Sequence, residues 1–243
     1  MNTFFLDRLN SEPHALAFAG QSTPWPVALA DQSANPALDE ALHTHAAAAQ
    51  ALLYPVSAEL LATTGRPVDL FGFEPNPARL GAAAAASASV PGIALTQLGA
   101  LLDAAALGYN PAQAKPVAVL GHSQGVLAVH MVQAICEAGS IDAAAAKIDE
   151  ILAIATLIGV AGTRQARQLG LAARHGEATP MLSVKDITRA QVDALIERVD
   201  GARGPIAVAV TNSATHYVLS GYPEDLAAFG VEVAKAVSYT HLR

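Results

Sequence analysis

Apolar residues recur three and four positions apart along most of this chain, and a few short stretches break that spacing. Residues 36–64, rich in alanine and leucine, predict a helix interrupted at Pro55, because a proline ring removes a backbone donor and crowds the preceding turn. Helices are also expected over 93–107, 125–138 and 142–173, with Gly139-Ser140 ending one and Ser140 or Asp142 capping the next. Two runs are continuously apolar instead: "HALAFA" at 14–19, which ends at Gly20-Gln21, and residues 116–120. Such runs suit strands covered on both faces in a parallel sheet. Residues 65–92 read as a Pro/Gly-rich connector whose alanine run could hold a helix.

From Thr179 the elements shorten. "PMLSVKD", "PIAVAVTN" and "HYVLSG" read as strands, with helices over 189–199 and 223–236. This βαββα order needs one more strand to complete a ferredoxin-like unit. The fold class expected is α/β, a mostly parallel sheet plus an incomplete ferredoxin-like α+β subdomain. The body should span 1–178 and the subdomain 179–236.

Composition narrows the class. Hydrophobic residues make up 52% of the 243 positions and charged ones 14%, a globular balance with enough chain for a sizeable core. The net charge of −7 argues against nucleic acid or an anionic membrane as partner. A lone cysteine, Cys136, excludes an internal disulfide and suits a reducing compartment. The most apolar run, 151–162, is too short for the roughly 20 residues that span a bilayer. The N-terminus has no basic start, and Asp7 interrupts its apolar cluster, so no secretory signal is read. A soluble cytoplasmic protein is the expectation.

One stretch carries chemistry. In "VAVLGHSQGVLAVH", residues 117–130, an apolar strand meets Gly121-His122-Ser123-Gln124-Gly125 and resumes with helical spacing. Gly-x-Ser-x-Gly between strand and helix is the nucleophile elbow also used by α/β-hydrolases. The tight turn exposes the hydroxyl, and the glycines let neighbouring backbone pass closely. The Gln124 N–H then points into the same space from a helix N-terminus, where partial positive charge favours an oxyanion. The competing reading is an ordinary turn with an inert serine. A serine needs a base, commonly histidine. His14, His43, His45 and His130 sit in predicted strands and helices as surface or core residues, and His122 belongs to the turn itself. No pair of histidines has a metal-ligand setting.

At these residues the chain resembles the malonyl/acetyl-CoA:acyl-carrier-protein acyltransferase family. "LAFAGQSTPW", "SASVPGIALTQLGALL", "LIGVAGTRQAR" and "MLSV...VTNSATHYVLSGYPEDL" resemble further family segments in the family's order. The likeness runs over about 6–236 and is nearest to the N-terminal acyltransferase domain of bacterial type I fatty acid synthases. It implies that Ser123 takes an acyl group from coenzyme A and delivers it to the phosphopantetheine thiol of an acyl carrier protein. No cofactor is bound, and the partners are the carrier protein and other synthase domains. The implied catalytic positions are Ser123, Gln124 and Gln21, the last near the oxyanion. The implied substrate-binding positions are His122, Ile158, Gln97 and Asn212; Gln97 could equally be a support or a plain helix-face residue.

Two departures from the family carry consequences. Malonyl-selective members place an arginine where this chain has Ile158, and an isoleucine leaves a buried carboxylate unpaired. An uncharged starter such as acetyl is therefore expected, unless Arg164 or Arg167 forms the clamp. The family's catalytic histidine follows the subdomain in a Phe-His setting. Here only His241 follows, in "YTHLR", without those flanks. The expectation is a truncated domain lacking its base, with 237–243 foreign to it. The alternatives are an α/β-hydrolase using Asp200 or Asp225 with His241, and a non-catalytic module that docks a carrier protein.

Overall fold

In the computed structural model, which describes residues 8–20, 24–53, 70–71, 86–168, 181–199 and 203–240, the chain divides into two units, Met1–Gln165 and Ala166–Arg243. The first contains β1 (Ala15–Phe18), α1 (Trp25–Ser33), α2 (Pro36–Leu52), α3 (Ala86–Ala106), α4 (Pro111–Ala114), β2 (Ala118–Gly121), a 3₁₀ turn (Ser123–Gly125), α5 (Val126–Ala138) and most of α6 (Ala145–Gln168).

β1 and β2 pair in parallel, from Ala15 opposite Ala118 to Phe18 opposite Gly121. The ladder is extended at both ends: Val117 N–H donates to the His14 carbonyl and His122 N–H to that of Phe18, each at 2.9 Å. Where a mostly parallel sheet is expected, these are the described parallel strands, and the three other strands form an antiparallel sheet in the second unit.

The core of the first unit forms around α3. Leu95 and Leu98 are fully buried with Leu42 of α2, Met131 of α5 and Ile148 of α6. Each such side chain contributes about 1.5–3 kcal/mol by leaving water. α3 is, among the described residues, the helix apolar and long enough to cross a membrane, yet 72% of its most apolar window is buried inside the protein. It is a core helix.

α3 also corrects the sequence reading. It begins at Ala86, inside the expected connector, and carries Pro91 in its interior. Proline and glycine are the poorest helix formers, so tertiary contacts must hold this end. The Thr163 hydroxyl of α6 accepts a hydrogen bond from Ser87 N–H at 2.9 Å, supplying a partner to an orphan donor of the first turn. A Cβ built on Gly92 would stand 2.5 Å from the Trp25 ring. The missing side chain is the space that ring occupies. α1, with Pro26 in its first turn, was likewise not anticipated; a proline just inside a helix start was its signal.

Other ends follow local chemistry. Asn35 and Asn110 cap α2 and α4 by accepting from Ala37 N–H at 3.2 Å and Ala112 N–H at 3.0 Å. Gly139, at φ 88°, ends α5 in the left-handed region. Ser140 accepts from Ala143 N–H at 3.2 Å, so it, rather than Asp142, opens the turn leading into α6. His45 of α2 and Asp149 of α6 meet at 2.6 Å across the unit.

The second unit holds β3 (Met181–Lys185), α7 (Arg189–Val199), β4 (Ala207–Ser213), β5 (His216–Ser220) and α8 (Pro223–Thr240). The sheet order is β3-β5-β4, both pairings antiparallel. Val184, Tyr217 and Leu219 turn inward onto Val192 and Leu195 of α7 and Leu226 and Phe229 of α8. Helices cover one face, and Ser183 and His216 stand on the other. The order is that of a ferredoxin-like unit's first three strands.

We expect Gly92→Ala to destabilise the chain by about 1–3 kcal/mol through overpacking against Trp25. Helix propensity alone would give the opposite sign, by about 1 kcal/mol. Urea unfolding followed by the fluorescence of Trp25, the only tryptophan in the chain, decides between them.

Candidate active site

The site is built from β2 outward. At its end His122 is extended, and Ser123 then takes φ 55° before the chain enters α5. A non-glycine residue in that region is uncommon and costs about 1–3 kcal/mol, so the surroundings must hold it there. Gly125 N–H closes the turn onto the His122 carbonyl at 2.9 Å.

Three glycines make the turn possible. A Cβ on Gly121 would stand 2.6 Å from the Gly125 carbonyl carbon, and one on Gly20 would stand 2.8 Å from the Ser123 Cβ. A Cβ on Gly125 would collide with the Phe18 carbonyl oxygen and stand 2.9 Å from that of Ala19. The end of β1 therefore lies against the serine. Ser123 itself is exposed, and α5 has no side-chain cap, so the helix N-terminus beyond it favours negative charge.

Gln97 of α3 reaches the same place. Its Nε2 donates to the Ala19 carbonyl at 2.6 Å. Its Oε1, and both amide atoms of the Gln124 side chain, are buried without a hydrogen-bond partner among the described residues. An unpaired buried polar atom of this kind costs about 1–3 kcal/mol.

The remaining candidates fall elsewhere. Gln21 lies outside the described residues, although its neighbour Gly20 abuts Ser123. Ile158 stands on α6, half exposed beside the exposed Ile154 and Leu157. Arg164 is exposed further along the same helix, and the Arg167 side chain lies outside the description. Asn212 is on β4 of the second unit, with Nδ2 3.4 Å from His216 Nε2, and Ser183 Oγ lies 3.0 Å from that same nitrogen.

Within the Ser123 unit the described histidines have other positions. His14 bridges the Tyr109 hydroxyl at 2.8 Å and the Glu12 carbonyl at 3.0 Å. His43 stacks on Phe71 with ring centres 3.6 Å apart. His45 is held by Asp149. His130 is exposed along α5, and His122 is exposed in the turn. Of the residues needed for a hydrolase triad, Asp200 and His241 lie outside the description. Asp225 is buried and accepts a hydrogen bond from Arg203 N–H at 3.1 Å, a structural task at the start of α8. Among the described residues no cluster of three metal-ligating side chains occurs. Partial desolvation, with the neighbouring Glu137 carboxylate, raises the Cys136 thiol above its ordinary value.

The structure brings Gly20 against Ser123; the expected neighbour of the serine, Gln21, lies outside the described residues. The Gln97 bond to Ala19 was not foreseen; the polar residue in an otherwise apolar helix, "IALTQLGALL", was its only signal.

Solved structures share this fold. The acyl-carrier-protein S-malonyltransferase of Bartonella henselae aligns over 93% of this chain and 60% of its own, at 18% identity and a TM-score of 0.50. The malonyl CoA-acyl carrier protein transacylase of Coxiella burnetii aligns over 93% and 58%, at 18% identity and 0.55. A malonyl-transacylase solved in complex with a type II PKS acyl-carrier protein aligns over 93% and 60%, at 17% identity and 0.53. These likenesses establish the fold. The fatty acid synthase beta subunit hexB of Dothistroma septosporum is 30% identical in an alignment 128 positions long that covers 47% of this chain and 7% of that subunit. The chain thus spans about three fifths of these solved structures and a small part of the fungal subunit. The family model described as the starter unit:ACP transacylase in aflatoxin biosynthesis matches residues 74–241. That match takes in the elbow, α6 and the whole antiparallel unit, and by it the chain belongs to the starter unit:ACP transacylase family.

Proposed function

We propose that Ser123 carries an uncharged acyl group, acetyl in the first instance, from coenzyme A to the phosphopantetheine thiol of an acyl carrier protein, priming fatty acid synthesis. The observation that carries the proposal is the strained, exposed Ser123 at the start of α5, with Gly20 against its Cβ. In the first half-reaction Ser123 Oγ attacks the thioester carbonyl, its proton passes to a base, and coenzyme A leaves as its thiol. In the second, the carrier thiol attacks the acyl-serine ester, gives up its proton, and Ser123 regains one. The Gln124 backbone N–H would hold the oxyanion of each tetrahedral intermediate, a role in which the family resemblance also casts Gln21, with a contribution of about 2.7–4 kcal/mol per donor in comparable sites. A carrier-protein partner is supported by the neighbour solved with its carrier protein and by the fungal synthase relative.

In this proposal the general base is not a described histidine of the Ser123 unit: His14, His43 and His45 have other partners, His130 is exposed along α5, and His122 belongs to the turn itself. This same observation favours a second reading, a carrier-docking module without turnover. Added imidazole separates the two. The 243-residue chain mixed with acetyl-CoA should form little acyl-serine alone, because losing a base costs about 10²–10⁴-fold. Free imidazole should raise acylation at least tenfold, and Ser123→Ala should abolish it. Intact-mass measurement reads both. Carrier binding without any imidazole-dependent acylation would favour the docking module.

Substrate choice gives a further expectation. Burying a carboxylate beside Ile158 leaves its charge unpaired, whereas a guanidinium there would bind it through two parallel hydrogen bonds. In competition between acetyl-CoA and malonyl-CoA with imidazole present, Ser123 should take acetyl at least tenfold faster. Ile158→Arg should shift that ratio toward malonyl. A preference for malonyl in the unsubstituted chain would remove Ile158 from the acyl pocket.

A further inference from the structure

We infer that Gln97 is a positioning residue for the acylation of Ser123, its amide latching the end of β1 against the side of the elbow. Only the rate readout below rests on the acyl-transfer reading; the latch itself rests on geometry. The Ala19 carbonyl receives the Gln97 Nε2 hydrogen bond at 2.6 Å, short for an N–H···O pair. The same carbonyl stands 2.9 Å from where Gly125 would carry a Cβ. It is therefore lodged between α3 and the elbow, with Gln97 as the donor that fixes it. The next residue, Gly20, abuts the Ser123 Cβ and so limits how the serine side chain can turn.

Packing does not explain a glutamine at this position. Its Oε1 is buried without a partner among the described residues, a burden that a methionine of similar volume would not carry. A single hydrogen bond contributes about 0.5–1.5 kcal/mol net, so overall stability should depend little on this one. The position of Gly20 relative to Ser123 does depend on it. A displacement of about 1 Å at a reacting centre costs on the order of 10²-fold in rate. A latch that sets this spacing therefore acts through Ser123 without touching the acyl group.

The test compares the full chain with Gln97→Met, which keeps the volume, and Gln97→Glu, which keeps the shape but turns the donor into an acceptor. Gln133→Met, on the exposed face of α5, serves as control. Three quantities are read: the maximal rate of Ser123 acylation by p-nitrophenyl acetate with imidazole present, amide hydrogen exchange in peptides covering Ala19 and Gly20, and Tm. The Gln97 variants should lose about 10–100-fold in maximal rate, with half-saturating ester concentration little changed. Exchange at Ala19 and Gly20 should quicken, most in Gln97→Glu, while Tm moves by no more than a few degrees. Unchanged exchange and rate in both variants would overturn the inference. So would a large fall in Tm that accounts for the lost rate, because Gln97 would then be a structural residue. If the unsubstituted chain is never acylated at Ser123, the acyl-transfer reading fails on its own, and exchange at Ala19 and Gly20 still decides the latch.

Discussion

The close approach of two backbone segments at Gly20, Gly121 and Gly125 is the constraint on which the first unit depends. A Cβ at Gly20 or Gly125 would fall inside the contact distance of another chain segment, and one at Gly121 inside that of the turn's own Gly125–Val126 backbone. Without side chains there, β1 can end against the serine turn, β2 can pass directly into α5, and Ser123 can hold φ 55°. Strain of that kind persists only where its surroundings over-determine it. Here the surroundings are the β1–β2 ladder on one side and α3, through Gln97, on the other.

The fold was legible where local chemistry and tertiary packing agree. The elements of the second unit follow period-two alternation and clear turn signals, and α7 and β5 stand where the pattern puts them. Legibility failed at α3, whose first turns hold the residues that helix propensity rejects. Thr163 partners Ser87 N–H from another helix, and the Trp25 ring fills the space above Gly92. Both partners are distant in sequence, and no local window contains them. Of the expected parallel sheet, β1 and β2 are the strands among the described residues.

For the site, the strand–turn–helix motif located Ser123 because its mechanics are wholly local. Residues that act from elsewhere were less visible. Gln97 could be recognised as a polar residue on an apolar helix, but not as a donor to Ala19, since that pairing spans 78 positions. Ile158 illustrates the converse. Alignment of a short motif suggests a role for it, whereas the structure adds that it lies in an exposed apolar stripe with Ile154 and Leu157.

The register of β1 with β2 has a consequence in time. Ala15 pairs with Ala118, so during synthesis the first strand leaves the ribosome roughly 100 residues before its partner, an interval of roughly 5–20 s at ordinary elongation rates. Throughout that interval an apolar strand has an unpaired edge, a known route to misassociation. Helical hairpins form in microseconds from neighbouring residues, whereas a long-range parallel pairing must first close its loop. The nucleophile turn should therefore be among the last parts of this unit to become native, assembled onto a helical body that is already in place.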